Sequence, residues 1–431
     1  MSLLHSDSPA AIRGEVDLFS LPATDTTCDY SMYAEYQPVV NIQDCDSRVD
    51  FKIIANAQHY LDLHDSFLYL KVQVVNKNGT NLAADAKVST VNCFLHALFS
   101  QLDIYFNSQL VSTSNNAYPY RAYIETLLSY GNDYKHSQGG CFLFYPDTKV
   151  VNDNTNEGYK IRKEFIAKSE NVEMIDRLRF DLATQHRYIL NDINVTISLT
   201  KSPDSFSLIG EAGSEYKVKI LKASFFVRKQ VLYPSIILAH QRLLEKGEVA
   251  KYPYKKTDIK YFTIPQGNSS AVEENIFSSS IPSRIILGFV ASSSFNGDIT
   301  KNPFLFGHNN VTNVGISINN VAIPIHPLQL NFNQEEYLLA YYLLFTATGI
   351  AGQDNGLHFD RRQYKDLYAL FSFDIIQAAN NNSLLTLDKS GNVRLELKFS
   401  TALPRAIHCI IYSEHQGLLE IDKYRQVVAV Q

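Results

Sequence analysis

The feature that most constrains this chain of 431 residues is that its order of local patterns occurs twice. In the first half, residues 66–75 (SFLYLKVQVV) pass from an apolar run into alternation and break at Asn76-Lys77-Asn78-Gly79, a turn signal. Residues 102–107 and 109–111 read as a hairpin turning at Asn107-Ser108. The segment 118–131 (YPYRAYIETLLSYG), with Pro119 near its start and Gly131 at its end, predicts about three helical turns. Residues 190–201 alternate with period two, placing Ile193, Val195, Ile197 and Leu199 on one face, and 216–232 hold a further alternating run.

The second half answers in the same order. Residues 281–290 stand in the place of 66–75, and 313–323 in the place of 101–111, with the polar pair Asn319-Asn320 at the turn. Residues 334–349 answer the helical segment, with Glu335 and Glu336 expected in the first turn and Gly349 at the end. Residues 392–404 answer 194–203, and 406–414 answer 218–227. Counterparts lie about 215 residues apart early and about 190 late; the first half carries the longer polar stretch, 132–177 against 350–366. One duplicated β-unit with a variable outer loop accounts for this pattern. The fold class expected is all-β, two tandem sandwiches with short helices.

Composition agrees. Hydrophobic residues make up 45% and charged residues 19%, enough to bury two large β cores and to exclude disorder. The 26 Tyr and 25 Phe favour pleated surfaces, while the absence of Trp weighs against a sugar-binding platform. Net charge is −5, and the basic pairs Lys255-Lys256 and Arg361-Arg362 are isolated, so no concentrated nucleic-acid footprint is expected. Cys28, Cys45, Cys93, Cys141 and Cys409 are odd in number and scattered, poor material for a disulfide framework. No signal peptide and no membrane span are expected.

The predicted organisation is an N-terminal arm over 1–34, a first β-unit over 35–233, a linker helix over 234–248 and a second β-unit over 249–431. The arm reads equally as an assembly arm or a frayed terminus. The linker helix, opening near Pro234-Ser235 and stopping at Gly247, is expected to pack between the two sandwiches.

Several stretches carry a family resemblance: NKNGTNLAADAKV, VNCFLHALFSQLDIYFNSQLVSTSNNAYPYRAYIETLLSYG, YKVKILKASFFVRKQVLYPSIILAHQRLLEKGEVAKYP, IPSRIILGFVASSSFNGDITKNPF and LLEIDKYRQVV. From about residue 23 to the C-terminus the chain resembles the major capsid proteins of the polinton/Maverick and adintovirus group. That resemblance implies a double jelly-roll fold, like that of virophage capsid proteins and adenovirus hexon. It further implies homotrimeric, six-lobed capsomers tiling an icosahedral shell around a double-stranded DNA genome. The implied partners are other copies of the chain and penton and minor capsid proteins. The implied location is the virion capsid, with synthesis in the host cytoplasm and the nucleus as a further place of assembly. The stretch 132–177 would form an outward tower.

No catalytic, cofactor-binding or metal residue is predicted, and no cofactor. The chain contains no phosphate cradle and no H-E-x-x-H motif. His59 and His64 lie five apart in a strand-like region and do not make a helical ligand pair. Cys93 and His96 are close in sequence, but the apolar run VNCFLHALF predicts a packed thiol, as HCIIYSE does for Cys409. Glu273-Glu274 and Glu335-Glu336 read as solvated or helix-start charges, because adjacent residues point in different directions. His326, between Pro324 and Pro327, reads as loop rigidity. The alternative function is a glycan-processing hydrolase of tandem jelly-roll type, which would need a carboxylate pair in a cleft between the sandwiches. A lectin-like protein is the third reading.

Overall fold

The computed structural model describes residues 7–8, 11–40, 47–277, 280–375 and 389–430. Cys45 lies outside them. In the first half the strands are β1 Cys28–Tyr36, β2 Arg48–Ile53, β3 His59–Asn76, β4 Val88–Thr90, β5 Phe99–Phe106, β6 Gln109–Thr113, β7 Asn171–Asp176, β8 Val195–Lys201, β9 Leu208–Gly210 and β10 Tyr216–Leu232. In the second half they are β11 Ala250–Ile264, β12 Ser270–Glu273, β13 Arg284–Ala291, β14 Val311–Ile318, β15 Val321–Gln329, β16 Leu370–Asp374, β17 Val393–Phe399, β18 Ile407–Ile421 and β19 Val427–Val430.

Strand order makes the duplication explicit. The first sandwich pairs the sheet β1-β10-β3-β7 with β2-β8-β5-β6, and the second pairs β11-β18-β13-β16 with β12-β17-β14-β15. The second set repeats the first position by position; the small ladder β4-β9 and the added β19 are the departures. Two four-stranded antiparallel sheets joined by long crossovers make a jelly roll, and the chain holds two.

Alternation decides what each strand buries. Leu68, Leu70, Val72 and Val74 of β3 are fully buried, whereas Tyr69, Lys71 and Gln73 point outward. Val195, Ile197 and Leu199 of β8 and Leu102, Ile104 and Phe106 of β5 face the same interior. The buried apolar residues form one cluster running from Val49 through to Ile421, so the two sandwiches share a continuous core.

The two hairpins match in detail. Asn107 and Ser108 have φ of 45° and 71°, and Asn319 and Asn320 have φ of 49° and 68°. A two-residue turn with both central φ positive suits the twist of the flanking strands, and Asn tolerates that region. Asn107 Oδ1 accepts from the Asn194 amide at 2.8 Å. Asn319 Oδ1 accepts from the Asn392 amide at 2.9 Å, the same bond one duplication later.

Each hairpin is followed by a helix, Tyr118–Ser129 in the first sandwich and Leu338–Ala347 in the second, each ending two residues before a glycine. Four expectations change. Glu335 and Glu336 precede the second helix instead of filling its first turn, and Glu335 (φ 60°) pairs with Lys365. The stretch 132–177 is no tower: it carries helix Glu157–Phe165 and strand β7, and buries Phe142, Leu143, Phe144 and Arg162. The linker helix Pro234–Glu245 packs one side only: Ile236 and Ile237 lie on the core, His240 meets the Tyr60 hydroxyl at 3.0 Å and Leu244 is buried, while Leu238 and Leu243 are more than half exposed. Strand β1 begins at Cys28, inside the segment read as an arm, because its backbone pairs with β10.

Candidate functional site

The residues singled out for chemistry are mostly kept apart or used up. Cys93 is fully buried, and burial pushes its thiol far above the ordinary range. His96 spends both ring nitrogens, Nδ1 on the Tyr118 hydroxyl at 2.8 Å and Nε2 on the Asp176 carboxylate at 2.9 Å. No nitrogen is left to activate the thiol. Burial lowers the His96 pKa, outweighing the opposing pull of Asp176. Cys409 is equally enclosed on β18. His64 binds the Ala183 carbonyl at 2.6 Å through Nδ1 and packs edge-on against His186, away from His59. Glu274 lies 3.9 Å from Arg394, Tyr337 donates to Glu335 at 2.7 Å, and His326 sits on β15. Among the described residues no group of three or more His, Cys, Asp or Glu could hold a metal ion.

Sequence reasoning missed the seam between the sandwiches, because its partners lie far apart in the chain. Helix Tyr118–Ser129 lies on the outer face of the second sandwich. Tyr120 stacks on Phe295 at 5.5 Å, Tyr123 stacks on Phe304 at 4.3 Å, and Phe295 stacks on His408 at 4.2 Å. Gly288 on β13 leaves room for this packing, since a Cβ there would come within 2.6 Å of Phe306. Two buried carboxylates pin the join. Asp147 accepts from Arg162 at 2.7 Å and from Asn302 at 2.8 Å, while its carbonyl accepts from the Tyr368 hydroxyl at 2.9 Å. Asp181 accepts from the Thr257 amide at 3.0 Å and stands 2.8 Å from Arg121 Nη2, an ion contact outside hydrogen-bond geometry. The signal that could have pointed here is the density of Tyr, Phe and Arg in YPYRAYIETLL, too apolar for a surface helix.

Beside the seam opens a cleft of about 500 Å³ with Glu125, Arg179, Lys255, Arg284 and Glu414 in its walls. This is where a tandem jelly-roll hydrolase would need its two carboxyl groups, one of them protonated to donate to the leaving group. Glu414 is ion-paired with Arg284 and accepts from the Tyr412 hydroxyl at 3.0 Å. Burial works to raise its pKa, but Arg284 and Lys255 outweigh that and hold it below the usual carboxylate value. Glu125 is engaged by Arg121 at 3.0 Å. The cleft carboxylates are therefore structural ion pairs, and Glu414 is held opposite to the state a general acid needs.

What the surface offers is uncovered apolar area. Tyr33 on β1, and Leu338, Leu339 and Tyr342 on helix Leu338–Ala347, are more than half exposed. Leu18, Phe19 and Leu21 near the N-terminus are exposed further still. Such groupings on a folded chain mark surfaces that meet another molecule.

These features define a class: an all-β chain of two jelly rolls joined through an aromatic seam. The chain belongs to the family described as double jelly roll-like domain, whose model matches residues 159–416, more than half its length. It is similar to an uncharacterized protein of Caenorhabditis elegans, 24% identical over 426 residues, covering 95% of this chain and 99% of that protein. Among solved structures it is similar in fold to a chain of the Sputnik virophage, with a TM-score of 0.65 at 10% identity, covering 100% of this chain and 94% of that one. The Faustovirus major capsid protein gives a TM-score of 0.57 at 7% identity, covering 93% and 92%.

Proposed function

We propose that this chain is a major capsid protein of the polinton/Maverick and adintovirus group, a structural subunit and not an enzyme. It forms homotrimers whose six jelly rolls make a pseudo-hexameric capsomer, and capsomers tile an icosahedral shell around double-stranded DNA. The observation that carries the reading is the duplicated sandwich, repeated strand for strand, with apolar faces left open on both copies. The fold likeness to the Faustovirus major capsid protein supports it, as do the residues of the polinton resemblance. The unit division falls at the 234–248 helix. Penton and minor capsid proteins are the further partners, the virion capsid is the location, and no cofactor is used. Among the described residues no helix is long and apolar enough to cross a membrane.

Light scattering and electron microscopy of the expressed chain test this. The expected mass is three times the 48.8 kDa of one chain, with six-lobed particles or closed shells in micrographs. A featureless monomer at micromolar concentration would sink the reading.

A further inference from the structure

One contact is made once within each chain, although duplication supplies its parts twice. Helix Tyr118–Ser129 of the first sandwich covers the outward face of β11-β18-β13-β16. Phe289 on β13 faces the interior, against Phe399 of β17, so its neighbours in the strand point outward. There Ile286 and Ile410 are 1% and 0% exposed.

Each half of that contact has a twin with an open side, the twin helix burying Ala340, Leu344 and Ala347 against its own sandwich. The twin helix, Leu338–Ala347, is apolar around its whole girth, a pattern that belongs in a buried helix. Yet Leu338, Leu339 and Tyr342 are 53%, 58% and 55% exposed. Counting back from Gly131 and Gly349, the docking residues Tyr120 and Tyr123 correspond to Leu338, which is exposed, and to Tyr341, whose hydroxyl donates to the Phe359 carbonyl at 3.2 Å in its own sandwich. The twin sheet face is the outward side of β1-β10-β3-β7. It carries Tyr33, 53% exposed, against Phe67 at 5.4 Å, and Phe67 stacked on its cross-strand partner Phe226 at 5.1 Å. Glu35, Asp65, Lys222 and Arg228 surround these rings, a polar rim around an apolar centre.

We infer that these two faces bind each other between copies: helix Leu338–Ala347 of one chain sits on the Tyr33, Phe67 and Phe226 face of the next. The contact rests on the assembly reading above and repeats the internal seam. It is heterologous, helix to sheet, and closes into a ring when the rotation per copy allows.

The test uses the full-length chain in three forms: unaltered, Leu339→Glu/Tyr342→Glu, and Tyr33→Glu/Phe67→Lys. Each variant alone is expected to be a folded monomer by light scattering and circular dichroism, with self-association weakened at least about 100-fold. Mixing the two variants is expected to give a dimer and no larger ring, because each retains the half the other lacks. A photo-crosslinker replacing Tyr342 in the otherwise unaltered chain should join peptides containing Phe67 or Phe226 of a second copy. That readout decides the matter even if a charged variant misfolds. An unaltered chain that is monomeric overturns the assembly reading itself. An unaltered oligomer that survives both variants, or crosslinks that map elsewhere, overturns this contact and leaves assembly standing.

Discussion

Tyr123 of the first sandwich lies flat on Phe304 of the second, with ring centroids 4.3 Å apart and planes 8° from parallel. Both side chains are almost wholly buried, and Phe304 also meets Tyr120 and Phe206 edge-on. Close aromatic stacking of this kind joins the sandwiches by dispersion and by exclusion of water.

Removing either ring should therefore weaken the whole chain. Phe304→Ala and Tyr123→Ala are each expected to cost about 3–5 kcal/mol through lost burial and a residual cavity. The double variant should cost less than the two together by about 0.5–1.5 kcal/mol, the part owed to the stack itself. Denaturant titration of the four proteins measures this; strict additivity would mean the rings act independently.

Arg284 and Glu414 form a buried ion pair in the cleft wall, and Arg284 also donates to the Ala347 carbonyl at 2.6 Å. Glu414→Gln strands a buried guanidinium and is expected to cost about 3–5 kcal/mol. Arg284→Met/Glu414→Leu should cost less than that single change, since no charge remains unpaired. The Glu414 carboxyl is held below its ordinary value, so its contribution is present above pH 4.5 and disappears as pH falls through the folded value. Stability curves down to pH 3 should show a shallower acid limb for the double variant than for the unaltered chain.

His358 packs between Phe144, Phe359 and Tyr368, and neither ring nitrogen has a hydrogen-bond partner among the described residues. Burial, helped by the charges of Lys135 and His136, pulls its pKa from the usual 6.5 down to about 2. Below pH 6.5 the unfolded chain takes up a proton that the folded chain refuses, so folding weakens as pH falls. The loss is up to about 1.4 kcal/mol per pH unit. His358→Phe should flatten the dependence of the thermal midpoint between pH 6.5 and 4.5, and an unchanged slope would remove His358 as its source.

The hairpin asparagines share one bond and differ by another. Asn107→Ala and Asn319→Ala each lose the bond from the Asn194 or Asn392 amide and force alanine to positive φ, and Asn107→Ala also loses its donation to the Arg425 carbonyl at 3.1 Å. The expected cost is about 1–2 kcal/mol apiece. Thermal unfolding of the two variants checks the cost and its order, with Asn107→Ala expected to lose the more; a smaller loss there than at Asn319 would show that the Arg425 bond contributes nothing.

Much of this fold was legible along the chain because its signals are local. Period-two alternation exposes which residues of β3, β5 and β8 turn inward, since successive side chains of a strand must point to opposite faces. Asn-Ser and Asn-Asn mark the hairpins because few residues tolerate positive φ. Pro119 and Gly131 bracket a helix for reasons that need no neighbour. The stretch 132–177 misled because polarity along a segment does not reveal that Arg162 will find Asp147 and the Thr90 carbonyl in the interior.

For the same reason the duplicated unit itself was determined by sequence, through pattern and turn chemistry repeated in order. Only the tertiary structure decided that the copies are unequal in their surroundings. The helix Tyr118–Ser129 is covered by the second sandwich, whereas its twin Leu338–Ala347 keeps Leu338, Leu339 and Tyr342 exposed. Burial depends on which surfaces come together across hundreds of residues, and periodicity within a segment carries no record of what will lie against it.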